Sequence, residues 1–148
     1  MKGEYNKTEI RTYICDVING KIKTLDFYLN FTLDASKEIK KTEKYDSIRE
    51  EMHEELYHLQ KQMHALKTMK KKMEKIINSP TSVIQAGSLV ITNKARFYIS
   101  VSLGEFFLNN QRFYAISPES PMGQVLSEKK IGDAFKLNGI QQEILQIL

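Results

Sequence analysis

Apolar residues recur at steps of three and four through the first half of the chain and give way to short β-rich runs in the second. From Tyr45 to about Asn78, Ile48, Met52, Leu56, Leu59, Met63, Leu66, Met73 and Ile76 form one seam, broken only by a double step over Met69 and Lys70. From Thr8 to about Lys40, Ile10, Ile14, Val17, Ile18, Leu25, Leu29 and Leu33 form another. Neither stretch contains proline, so each predicts a long amphipathic helix. Gly20, after Asn19, is their one glycine and the expected place for a kink or break. Two seams of similar length joined by a short polar stretch predict an antiparallel helical hairpin, a coiled coil whose 30-residue arms would reach roughly 45 Å. Met52, Met63, Met69 and Met73 read as gap-fillers in that seam.

Ser79-Pro80-Thr81-Ser82 ends the helical pattern and divides the chain into expected parts 1–79 and 80–148. Beyond it, Gly87–Thr92 and Ala95–Ser102 predict strands joined at Asn93-Lys94. Phe106–Leu108 and Arg112–Ser117 flank a second turn at Asn109-Asn110. Ser120 is placed to cap a short helix with Pro121 at its first position, where a missing N–H costs nothing. Gly132-Asp133 then restarts an extended run, Ala134–Leu137. In the tail, Ile140, Ile144 and Ile147 fit a helical period as well as a strand. Periodicity alone therefore supports an α+β class.

The 148 residues make one medium domain or two small units. The net charge is +4, with sixteen basic against thirteen acidic side chains in residues 1–79 and six against five in 80–148. Neither part carries the dense basic face of an autonomous nucleic-acid binder, and the mixed surface suits docking on a protein. No 18-residue apolar run and no signal-peptide pattern occur, which predicts a soluble cytoplasmic protein with no membrane partner. The single cysteine, Cys15, precludes an intramolecular disulfide or a cysteine metal cluster. Its place in a helical stretch beside Ile14 and Val17 gives it a structural role.

The order Ser117-Pro118-Glu119-Ser120-Pro121-Met122-Gly123, a helix and then Gly132-Asp133 resembles the C-terminal domain of the bacterial Gre transcript-cleavage factors, GreA and GreB. The match is at motif level from Ser117 to Asp133 and architectural before Ser79. The resemblance implies a helical coiled coil followed by a small FKBP-like antiparallel sheet with one short helix, closed by a C-terminal strand. It also implies a transcription elongation role, with the DNA-binding context usual for that family. RNA polymerase would be the partner, and nascent RNA would be met only indirectly. The loop Ser117, Pro118, Ser120, Pro121 and Gly123 would dock on polymerase, its prolines lowering the ordering cost; an internal turn that closes the sheet is the structural alternative.

At the hairpin tip, Glu43 and Asp46 stand three residues apart, on one face if the turn is helical. In the Gre family two acids at this spacing enter the polymerase secondary channel, help hold a second Mg²⁺ and activate a water that cuts backtracked RNA. Mg²⁺ takes oxygen ligands and often only one or two protein carboxylates. Such a protein completes another protein's site and is no self-contained enzyme; it binds no cofactor alone and shares Mg²⁺ only in the complex. The family tip reads close to Gly-Asp-Leu-Ser-Glu-Asn, whereas this chain has Thr42-Glu43-Lys44-Tyr45-Asp46-Ser47. A channel-occupying regulator that binds polymerase without stimulating cleavage is thus the alternative, and a solvated loop a third. Lys37, Lys40, Lys41, Lys44 and Arg49 would steer the tip toward RNA phosphates or an acidic channel wall. The lysines from Lys67 to Lys75 read as a solubilising face.

Two Glu-x-x-His pairs, Glu50/His53 and Glu55/His58, resemble di-iron ligands, but both lie on one helix and point about 140° apart. An FKBP-like fold also brings prolyl isomerase activity to mind. Fold alone does not warrant it, and Tyr98, Phe106, Phe107, Phe113 and Tyr114 read as core of so small a sheet.

Overall fold

Asn6 opens the first helix: its side-chain oxygen accepts the N–H of Glu9 at 3.1 Å, an N-cap that satisfies one of the free donors of the first turn. The computed structural model describes residues 5–39 and 43–148. In it α1 (Lys7–Lys37) is followed by a 3-10 turn (Glu43–Tyr45) and α2 (Asp46–Glu74). Then come β1 (Leu89–Thr92), β2 (Arg96–Ile99), β3 (Gly104–Leu108), β4 (Gln111–Ile116), α3 (Pro121–Leu126), β5 (Ala134–Leu137) and β6 (Ile140–Ile147). The class is α+β. α1 runs through Gly20 without interruption, because one glycine weakens a helix by only about 1 kcal/mol and the neighbouring turns hold it. Among the described residues no helix is long and apolar enough to cross a membrane.

The chain forms two compact units. Cys15–Lys71 make one; the residues up to Ile14 together with Lys72–Leu148 make the other. The hairpin unit pairs the middle of α1 with the middle of α2, running in opposite directions. Residues 17–28 line a groove with residues 62–66, and residues 36–39 share a second with Arg49 and His53. Ile18, Leu59 and Met63 are buried, and Leu25, Leu29, Met52, Leu56, Leu66 and Met69 are half-buried. Toward the turn the seam thins, leaving Leu33 and Ile48 exposed.

In the second unit the strands are ordered β3-β4-β2-β1-β6-β5. All neighbours are antiparallel except β2 and β4, which run parallel with Phe97 opposite Tyr114. Asparagines make two of the hairpin turns. Asn109 and Asn110 both take positive φ (53° and 63°), as do Asn138 and Gly139 (53° and 78°), the conformation of a tight two-residue turn. Every residue of β1 is buried, so both faces of the sheet's centre are covered. On one side α3 and β6 close a core of Val90, Phe97, Ile99, Leu126, Phe135 and Ile144. Elsewhere the start of α1 packs on β3 and β4. Tyr13 stacks on Phe106 at 5.3 Å, Phe106 on Phe113 at 5.3 Å, and Tyr5 meets Phe113 edge-on while Arg96 lies over both rings.

Lys7 fastens this arrangement. It is 8% exposed, and its ammonium donates to the backbone oxygens of Ser79 at 2.9 Å and Leu148 at 3.2 Å. Desolvation holds its pKa below the ordinary lysine value of 10.5. Unfolding therefore raises the group's proton affinity, and stability contributed here rises as pH climbs from the lowered folded value toward 10.5. Lys7→Met should lose this rise in urea titrations followed against pH. At neutral pH it should cost about 1–3 kcal/mol, since the Ser79 carbonyl loses its donor.

Candidate functional site

The hairpin tip is built by helix ends. α1 closes with the Ser36 hydroxyl donating to the Leu33 carbonyl at 2.7 Å and the Glu38 N–H to Ala35 at 3.2 Å. Lys40 and Lys41 lie outside the described residues, as does Thr42. Glu43 opens the 3-10 turn and Asp46 is the first residue of α2, so the two straddle the junction of the two helical forms. Three-residue spacing in 3-10 geometry eclipses side chains, so Glu43 and Asp46 share a side of the turn. Both carboxylates and Lys44 are exposed, with the Lys44 ammonium over the Tyr45 ring at 5.7 Å.

Arg49 faces the site in a way its charge alone did not suggest. Its guanidinium donates to Asp46 Oδ1 across one turn of α2, forming an ion pair. The same side chain lines a recess of about 510 Å³ with Ser36, Lys37, Ile39 and His53. Of the residues expected to steer the tip, Lys44 is presented to solvent while Arg49 is engaged with an acid of the tip itself. Among the described residues no three His, Cys, Asp or Glu side chains gather as a metal site. Two exposed carboxylates are enough to supply one or two oxygen ligands to an ion held chiefly by other groups.

The Ser117–Gly123 loop belongs to the other unit and is a tightly packed turn. The Ser120 hydroxyl donates to the Ser117 carbonyl at 2.7 Å and accepts the Gly123 N–H at 3.0 Å, capping α3. Pro121 stands at the first helical position. A Cβ on Gly123 would lie 2.2 Å from the Ser117 oxygen and 2.8 Å from that of Pro118, so only glycine permits this approach. Gly123 is buried, Ser117, Pro118 and Ser120 are half-buried, and Glu119 and Pro121 are exposed. Much of the motif is accounted for by folding; its most exposed positions are Glu119 and Pro121.

The helical seams leave out one feature. Phe27, Tyr28 and Phe31 are 67%, 55% and 65% exposed on α1, beside a groove of about 800 Å³. Their signal was a second apolar stripe offset from the core seam.

A solved structure described as that of "the transcription factor Gfh1" aligns over 98% of this chain and 96% of its own, with 16% identity and a TM-score of 0.32. The likeness is distant. No family model matches the chain, and no curated protein matches it.

Proposed function

We propose that this chain is a Gre-type transcription factor that docks on RNA polymerase, inserts its helical hairpin into the secondary channel and brings Glu43 and Asp46 to the catalytic centre. The observation that carries the reading is the tip: a helical hairpin ending in a turn that exposes two carboxylates three residues apart. The Ser117–Gly123 motif with Gly132-Asp133 supports it from the sequence. When bound, a Mg²⁺ shared with polymerase would stabilise the attacking and leaving oxygens of phosphodiester hydrolysis. This chain's part is to place two oxygen donors on a rigid helix start, with Arg49 fixing the rotamer of Asp46 until the polymerase site competes for it.

The Arg49–Asp46 pair favours a second reading, in which the chain fills the channel without promoting cleavage. An oxygen already bonded to a guanidinium, with its charge offset, is a poorer metal ligand. Cleavage of RNA in stalled, backtracked elongation complexes separates the two. Under the first reading the wild type accelerates cleavage, and Glu43→Ala/Asp46→Ala loses the effect by on the order of 100-fold while still binding polymerase. Arg49→Ala then stimulates at least as well as wild type at saturating factor. Binding with no stimulation by the wild type, followed by its appearance in Arg49→Ala, establishes the second reading. No binding to polymerase removes both.

A further inference from the structure

The geometry points to a homodimer in which the outer stripe of α1 pairs antiparallel with the same stripe of a second copy. This goes beyond the proposed polymerase role and does not depend on it. Gly20, Thr24, Phe27 and Phe31 follow one another at steps of four, three and four, the spacing of a coiled-coil seam. The intramolecular seam uses other positions: Ile18 is buried and Leu25 and Leu29 half-buried, about 150° round the same helix at ~100° per residue. α1 thus carries two stripes and its own partner helix covers one.

The uncovered stripe is self-complementary. Its steps read the same in both directions, so an antiparallel partner sets Gly20 against Phe31 and Thr24 against Phe27, a small residue facing a ring in each of four layers. Gly20 is otherwise unexplained. Glycine is the least favourable residue in a helix interior after proline, yet a Cβ there would meet nothing within 4 Å. The space beside it is a groove of about 800 Å³ walled by Val17, Thr24, Tyr28, Ala65 and Leu66, with ample room for a phenyl ring. A parallel pair would instead set glycine on glycine and ring on ring, leaving a void at one end.

Charges on the flanks agree with the antiparallel choice. Asp16, Lys23, Asn30 and Lys37 recur every seven residues along one border of the stripe, and all are exposed. Antiparallel pairing puts Asp16 opposite Lys37 twice by symmetry and Lys23 opposite the neutral Asn30. On the other border Lys21 falls opposite Tyr28, an ammonium near a ring face. The area is of the order a weak dimer needs. Aromatic side chains of 150–250 Å² at the measured exposures offer roughly 350 Å² per chain, or about 700 Å² over two copies. The groove walls they enter and the flanking side chains bring the total toward the ~1,000 Å² that marks a specific interface.

Sedimentation equilibrium of the full chain tests the inference. The wild type should approach twice the monomer mass of 17.2 kDa at about 100 µM. Phe27→Glu/Phe31→Glu should stay monomeric, a loss of self-affinity of about 100-fold or more, with an unchanged far-UV spectrum because both rings are exposed in the monomer. Orientation is read by oxidation in a Cys15→Ser background. Thr24→Cys chains mixed with Phe27→Cys chains should cross-link to each other and neither to itself. A monomeric wild type overturns the proposal, as does a Phe27→Glu/Phe31→Glu variant that still dimerises, or a disulfide formed by Thr24→Cys alone. A monomeric wild type whose polymerase binding is lost in Phe27→Glu/Phe31→Glu would overturn it in favour of a heterologous partner.

Discussion

Gly123→Ala is expected to destabilise the sheet unit by about 3 kcal/mol or more, measured by urea unfolding followed by circular dichroism. The new Cβ would sit 2.2 Å from the Ser117 oxygen and 2.8 Å from the Pro118 oxygen. Both are backbone atoms, so no rotamer change can clear them. Relief requires α3 to shift, and α3 carries Leu126, fully buried, with Met122 and Val125 packed against the same core. Ser120→Ala should cost about 1 kcal/mol, the usual worth of an N-cap. Pro121→Ala, at an exposed first helical position, should fall within about 0.5 kcal/mol of wild type. A Gly123→Ala protein as stable as the wild type would show that the loop can relax and that the motif is not held by folding.

This ordering bears on how docking is tested. Substituting Gly123 would weaken any docking through this loop by disrupting the turn, whatever the turn contacts. Glu119 and Pro121 are the positions where a loss of binding reports contact. Glu119→Lys with unchanged stability and weakened polymerase binding would place the partner's surface there; unchanged binding would leave the loop a sheet-closing turn.

What the sequence discloses here follows the range of each interaction. Local signals were legible: the Ser120 cap, Pro121 at the first helical position, the Asn109-Asn110 turn and both helices all depend on neighbours within four residues. The tail was ambiguous only while Ile140, Ile144 and Ile147 were weighed alone, because Asn138-Gly139 between two apolar runs is itself a hairpin signal. Two features lie beyond local pattern. The parallel neighbours β2 and β4 are joined through β3, and nothing in either strand marks its direction. The ends of the helical seams, Ile10, Ile14, Met73 and Ile76, look like the rest of the coiled coil but belong by packing to the sheet unit. At the tip the acidic spacing was visible. The Arg49–Asp46 pair follows the ordinary one-turn rule, but a basic residue beside an expected RNA path reads first as a steering charge.

Ile144→Ala should cost about 3 kcal/mol, while Leu145→Ala and Ile140→Ala should each cost under about 0.5 kcal/mol. Ile144 has no exposed surface and sits among Val90, Phe97, Leu126 and Phe135. Its backbone is held as firmly, its N–H donating to Asp133 at 2.9 Å and its carbonyl accepting from Gly132 at 2.8 Å. The pocket left by three deleted carbons therefore cannot collapse, and the cavity cost adds to the lost burial. Leu145 points from the opposite face and is 50% exposed, and Ile140, at the strand's start, is 53% exposed. The trio discriminates between the two periods the tail permits. A helix places Ile140, Ile144 and Ile147 on one face, so truncating Ile140 would hurt nearly as much as truncating Ile144. In the strand Ile140 and Ile144 also share a face by two-residue alternation, but Ile140 lies at the β5–β6 turn, beyond the core and 53% exposed, so only Ile144 has packing to lose. Comparable losses at Ile140 and Ile144 would sink the strand. A large loss at Ile144 alone would support the register by which Gly132-Asp133 is tied to the core through the Ile144 backbone.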